Sequence, residues 1–349
     1  MSITIERLIG QLFIAGFRGK TIKSAIDISK YIKNYSLGGI ILYDEDLAIG
    51  GNGTRNIGSP NQVKNLINGL QDISDKPLIV AIDQEGGEVN RLRSIYGFDD
   101  TPSWKHIGML QNLLITKQYA NSIASTLHNL GINLNFAPVL DLDYGEKTNI
   151  GKSGRSISQD PKFIIEHAKI FIEEHQSKKI ITCGKHFPGL GSASGDTHDG
   201  FTNISKTWNV KDLLPFDNLI QNDFLDMIMI SHAFDNKLDN MYPASLSKII
   251  ITEMLRNDLG YEGPVICDDP SMRAISDHYS LEKTFELMLH AGVDLFCLGN
   301  NLIYDPEYIP KCIDAITNLV KSKKITKSRI LESINRIERM RKKYNIYEK

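Results

Sequence analysis

Eight short apolar runs recur along the chain, at 12–16, 39–43, 78–83, 134–140, 180–186, 227–232, 264–269 and 295–299. Apolar residues follow one another in each run instead of alternating with polar ones, as in strands buried on both faces. The segments between them carry helical spacing and helix punctuation. Ser59-Pro60 offers an N-cap and a first-turn proline ahead of Val63, Leu66, Ile67 and Leu70. Tyr119, Ile123 and Leu127 form a stripe that stops at Gly131, Asp160-Pro161 opens another helix, and a fourth over 249–259 ends at Gly260. Strands alternating with helices predict a parallel sheet. Eight such units without a Gly/Ser-rich linker predict a (β/α)8 TIM barrel, a single α/β domain over 1–349. At ~150 residues per domain the length would also allow two units, but barrels run from ~200 to more than 400 residues. A doubly wound open sheet is the alternative. Residues 44–60 read as a glycine-containing insertion after the second strand. The basic stretch 321–349, with Ile330, Ile334 and Ile337 at helical spacing, predicts a terminal helix docked on the barrel with a solvated charged face.

Forty Lys and Arg against 42 Asp and Glu leave a formal charge of −2, with no basic stripe interleaved with aromatics. That balance argues against a nucleic-acid partner. Cys183, Cys267, Cys297 and Cys312 lack metal-ligand spacing. Three of them lie in apolar runs, where a free cysteine is a small buried hydrophobe and not part of a disulfide framework. The apolar stretch 8–17 follows Glu6 and Arg7, is short and has no A-x-A site. It fits neither a signal peptide nor a membrane span, so a reduced, cytoplasmic location and no membrane partner are expected.

In a barrel of this kind, reactive groups sit at the C-terminal ends of the strands. Polar residues gather at five of those ends: Asp83-Gln84-Glu85-Gly86-Gly87 with Arg91 beyond, Asp141 and Asp143, Lys185-His186, Ser231-His232, and Asp268-Asp269. Charges flanked by apolar strands are costly to desolvate unless paired or functional. A rim ion pair is the plainer reading of Arg91 and Arg155. Asp268 and Asp269 are neighbours on an extended chain and face opposite sides, which makes joint metal ligation awkward. The glycines Gly189, Gly191 and Gly195 miss the dinucleotide spacing by one position, and no Walker lysine follows. Beyond them, Asp196 and His198 are two apart, so in an extended loop they point the same way. Asp196 can then accept from one ring nitrogen of His198, hold its tautomer and favour its protonated form, which makes a proton shuttle.

Five blocks stand in order: Ala81-Ile82-Asp83-Gln84-Glu85-Gly86-Gly87-Glu88-Val89-Asn90-Arg91, Asn135-Phe136-Ala137-Pro138-Val139-Leu140-Asp141, Gly154-Arg155-Ser156, Lys185-His186-Phe187-Pro188-Gly189 through Asp196-Thr197-His198, and Asp268-Asp269-Pro270-Ser271-Met272. Together they resemble glycoside hydrolase family 3 in its single-domain β-N-acetylglucosaminidase branch. The resemblance implies Asp268 as nucleophile, His198 as acid/base with Asp196 as its partner, and Asp83, Arg91, Arg155, Lys185 and His186 as sugar-binding residues. It leaves Asp141 and Asp269 open between support and contact. It implies no cofactor and no metal, a monomer, and as substrate an amino-sugar glycoside such as a muropeptide fragment, turned over in peptidoglycan recycling. Cys267, Pro270, Glu88 and Leu190 depart from residues common in the family and bear on the shape of the leaving-group side. The implied reaction is retaining hydrolysis. Because an uncharged imidazole repels an incoming anion less than a carboxylate does, phosphorolysis is an alternative, and a non-catalytic amino-sugar-binding barrel is another.

Overall fold

The computed structural model describes residues 3–195, 200 and 202–347. Each apolar run supplies one strand: β1 Phe13–Gly16, β2 Gly39–Leu42, β3 Ile79–Ile82, β4 Leu134–Asn135, β5 Ile181–Phe187, β6 Met227–Ile230, β7 Val265–Cys267 and β8 Leu295–Leu298. They close into a barrel in which β1 pairs with both β2 and β8, and every barrel pairing is parallel. The expected (β/α)8 barrel is the fold.

The fourth run forms only a two-residue ladder. Pro138 has no N–H to donate, and the chain instead stays beside β5 through Leu140 N–H to the Lys185 carbonyl at 2.7 Å and a bridge between Val139 and Lys185. The expected helix boundaries hold at Ser59, which caps Pro60–Ile73 through a reciprocal bond with Gln62, and at Asp160, which caps Pro161–Ser177. Leu113–Leu130 stops at Gly131, whose φ of 84° is left-handed. The segment 249–259 is a wide π-type helix, Ile249–Asp258. Between β1, β8 and the helix Leu281–Ala291, the rings of Phe13, Phe285 and Phe296 pack with centroids 4.9–6.0 Å apart.

The terminal helix, Lys327–Lys343, buries Ile330 and Ile337. Its basic residues do not all face solvent, which corrects the expected face. Arg336 reaches Asp294 at 3.1 Å beside Arg256 at 2.7 Å and the Ser333 hydroxyl at 2.7 Å. Arg329 donates to the Leu289 and Val293 carbonyls, and the buried Arg341 to those of Gly38 and Pro77. Asp294, Gly38 and Pro77 all precede strands, so this helix braces the N-terminal end of the barrel and leaves the opposite end for chemistry. All four cysteines are free and buried. Among the described residues, no helix is long and apolar enough to cross a membrane.

Candidate active site

A cavity opens at the C-terminal ends of the strands. Asp83 and Glu85 after β3, Lys185 and His186 on β5, Arg155, and Asp268 after β7 share its wall with Tyr43, Arg91 and Met229. Five of the expected positions (Asp83, Arg91, Arg155, Lys185 and His186) and Asp268 therefore line one space. Asp196 and His198 lie outside the described residues.

Glu85 is the hub. Arg155 clasps its carboxylate with both Nε and Nη2 at 2.8 Å, and Lys185 Nζ lies 2.5 Å from Oε1 and 2.9 Å from Asp83 Oδ1. Glu85 and Lys185 side chains are each only 2% exposed, so these are desolvated charge-assisted bonds. Burial pushes the Glu85 carboxyl upward, but the charges of Arg155 and Lys185 outweigh it and hold the group well below the usual carboxylate range. Burial likewise disfavours the Lys185 ammonium, and Asp83 and Glu85 reverse that, raising its pKa. Tyr119 pins the Glu85 carbonyl from behind through its hydroxyl.

His186 is oriented from both sides. Its Nδ1 is 2.6 Å from Asp141 Oδ2 and its Nε2 is 3.1 Å from Arg155 Nη2. A guanidinium only donates, so Nε2 accepts and Nδ1–H donates to Asp141. The fully buried Asp141 also accepts the backbone N–H of His186 and, at 2.6 Å, that of Leu190. Asp141 thus supports His186 and the start of the glycine-containing loop. Two of that loop's glycines, Gly189 and Gly191, answer to packing. Gly189 has φ 119°, and a Cβ there would come 2.6 Å from Asp212 Cβ. A Cβ at Gly191 would come 2.1 Å from the Leu142 carbonyl oxygen. Leu190, Ala193, Ile204 and Ala233 form an apolar floor under the loop, with Trp208 bonded to the Pro188 carbonyl at 3.0 Å.

The two adjacent aspartates divide sharply. Asp269 accepts the Ser271 N–H on Oδ1 at 2.9 Å and the Gly299 N–H on Oδ2 at 2.8 Å, and burial raises its pKa. Its own N–H donates to Asp268 Oδ1 at 2.9 Å, and its carbonyl accepts from His232 Nε2 at 3.0 Å. Asp269 and His232 are therefore braces for Asp268. Among the described residues, no three His, Cys, Asp or Glu side chains are placed to hold a metal ion. Arg91 lies at the outer edge, with its guanidinium 3.7 Å from Asp44 and 5.6 Å from the Tyr43 ring centroid. Gln84 fixes that edge by accepting the backbone N–H groups of Arg91 and Leu92 at 3.1 Å each.

Sequence reasoning passed over Glu85, although it stands two residues beyond Asp83 in the same polar block. An acidic residue next to a glycine pair on a turn resembles a solvated loop charge until Arg155 and Lys185 are seen to converge on it.

Known proteins share this fold. The profile of the glycosyl hydrolase family 3 N-terminal domain matches residues 4–340. A β-hexosaminidase of Nitrosomonas eutropha is 32% identical over 278 residues, covering 76% of this chain and 74% of that protein. The solved family 3 β-N-acetylglucosaminidase of Paenibacillus sp. FPU-7 superposes with a TM-score of 0.89 at 29% identity, over 99% of this chain, which spans 63% of that longer one. The β-N-acetylhexosaminidase of Beutenbergia cavernae gives 0.84 at 25% identity, covering 97% of this chain and 98% of its own. By profile, by sequence and by fold, the chain belongs to glycosyl hydrolase family 3 and is a glycoside hydrolase.

Proposed function

We propose that the chain is a retaining exo-β-N-acetylglucosaminidase that removes terminal non-reducing N-acetyl-β-D-glucosamine. Its substrate is an amino-sugar glycoside such as a muropeptide fragment, it serves peptidoglycan recycling, and it acts as a monomer. The observation that carries this reading is the fixed array of Asp83, Glu85, Lys185, Arg155 and His186 facing Asp268 across one cavity. Sugar hydroxyls each offer a donor and an acceptor, and a desolvated array of this kind matches several of them at once. The β-hexosaminidase and β-N-acetylglucosaminidase names of the relatives agree with it.

In this mechanism an Asp268 carboxylate oxygen attacks the anomeric carbon as the bond to the leaving oxygen breaks. His198 gives that oxygen its proton, and Asp196 holds the imidazole for the transfer. Water then attacks the anomeric carbon of the glycosyl–Asp268 ester as its bond to the Asp268 oxygen breaks, His198 takes the water's proton, and the sugar leaves with its β configuration retained. Two carboxylates are the usual pair in glycosidases, and here an Asp–His dyad takes the place of the carboxylic acid. The Asp269 N–H holds the nucleophile's carboxylate, His232 holds the Asp269 carbonyl, and Asp141 holds His186.

The test is hydrolysis of a chromogenic N-acetyl-β-glucosaminide beside the matching β-glucoside. Release from the acetamido sugar should exceed release from the glucoside by at least tenfold, since sites built around a substrate polar group typically reject analogues lacking it by orders of magnitude. Equal or better cleavage of the glucoside contradicts the sugar assignment, and no release from either contradicts catalysis.

A further inference from the structure

The polar array occupies the β3–β5 side of the cavity, and Asp268 follows β7. Opposite the array, β1 lies between β2 and β8 and ends on Gly16, which has no side chain to offer. Tyr43, the first residue past β2, lines the cavity together with Asp83, Asp268 and Asp269. Its hydroxyl reaches across to Gly299, just past β8. A Cβ at Gly299 would come 2.7 Å from that hydroxyl and 2.6 Å from Asp269 Oδ2, so glycine is what lets both groups approach this stretch of backbone. The ring is held in place. Asn56 Oδ1 accepts the Tyr43 N–H at 3.2 Å, and the Asn56 N–H donates to the Tyr43 carbonyl at 2.9 Å. The guanidinium groups of Arg55 and Arg91 each lie 5.6 Å from the ring centroid. The neighbouring polar groups are committed to one another: Asp83 to Lys185, His186 to Asp141 and Arg155, and Asp269 to the Ser271 and Gly299 N–H groups. Among the described residues, the Tyr43 hydroxyl has no hydrogen-bond partner. Burial, reinforced by Cys297, Asp83 and Asp269, pushes its pKa well above the usual phenol value, so at neutral pH it is an O–H donor. A donor without a protein partner at a cavity wall is satisfied by what fills the cavity.

We infer that Tyr43 is a substrate-binding residue whose hydroxyl donates a hydrogen bond to a ring substituent of the bound amino sugar, so that the site discriminates against sugars lacking that substituent. The inference rests on the sugar reading proposed above. It holds whichever way the leaving group departs, because Tyr43 borders the space between the polar array and Asp268 that the sugar itself occupies.

The test compares wild type with Tyr43→Phe on a chromogenic N-acetyl-β-glucosaminide and on four analogues, each lacking the acetamido group or the 3-, 4- or 6-hydroxyl. The substitution removes one oxygen that bonds to no described residue, so the melting temperature should hold to about 1 °C. On the parent glycoside kcat/KM should fall ~3–10-fold, the net worth of one neutral hydrogen bond. On one of the four analogues the two proteins should agree within about twofold, because the partner of the hydroxyl is then already missing. If wild type cleaves the parent and Tyr43→Phe matches it there, or if the loss persists undiminished on all four analogues, Tyr43 bonds to no sugar substituent and the sugar reading stands. If wild type cleaves none of the five, the sugar reading fails and the inference falls with it.

Discussion

Replacing Glu85 with Gln keeps the shape of the side chain and removes the charge on which Arg155 and Lys185 converge. Three charge-assisted bonds of 2.5–2.8 Å are weakened at once, in a place where both Glu85 and Lys185 are 2% exposed. Breaking a buried pair from one side costs ~3–5 kcal/mol, because the cations left behind stay desolvated. Unfolding entropy of ~2.1 cal/mol/K per residue gives about 0.7 kcal/mol/K for a chain of 349 residues. The melting temperature should therefore drop by about 4–7 °C at pH 7. Its pH dependence has a definite sign. The Glu85 carboxyl is held below its unfolded value of ~4.3, so its contribution is fully present above that value and is lost as the pH falls toward the depressed one. Thermal unfolding at pH 7 and at pH 3.5 should show the gap between wild type and Glu85→Gln narrowing on acidification. Displacement of Arg155 and Lys185 should also lower kcat/KM by up to ~100-fold, as misplacing binding groups by an ångström does. A variant that melts within 1 °C of wild type at pH 7, or a gap that widens in acid, refutes the reasoning.

His198→Ala should lose ~10²–10⁴-fold activity toward substrates with poor leaving groups and far less toward activated aryl glycosides, as a Brønsted series would show. Asp196→Ala should follow the same pattern more mildly in the same series. Treatment with a chelator should leave turnover unchanged, and loss restored by a divalent ion would reopen a metal role for Asp268 and Asp269. Asp294→Ala should destabilise the fold by ~3–5 kcal/mol, since Arg256, Arg329 and Arg336 all converge on that buried carboxylate; with an intact barrel rim, the folded variant's KM should match wild type.

The barrel was legible because a strand buried on both faces has to be apolar throughout, and eight such runs cannot be spaced by helices in many other ways. Ser59, Asp160 and Gly131 marked helix ends for local reasons that tertiary packing did not override. The cavity-lining Asp83, Lys185, His186 and Asp268 were legible as polar breaks at strand ends. What stayed hidden depends on distance along the chain. Glu85 gains its meaning from Arg155, 70 residues away, and from Lys185. Arg336 and Arg341 read as solvated charges until Asp294 and the Gly38 and Pro77 carbonyls receive them. The division between Asp268 and Asp269 also needed the fold, because the N–H groups of Gly299 and Ser271 decide which carboxylate is spent on structure. Periodicity carries no record of such pairings.

The proposed chemistry turns on direct attack by Asp268, because an N-acetyl sugar can instead supply its own acetamido oxygen as the nucleophile. Incubation with an activated fluorinated sugar that slows hydrolysis of the intermediate, followed by proteolysis and mass spectrometry, separates the two routes. Direct attack leaves a glycosyl adduct on the peptide containing Asp268, with Asp268→Ala neither labelled nor able to turn over the activated substrate. An unlabelled Asp268 peptide together with a variant that still hydrolyses that substrate well would contradict it.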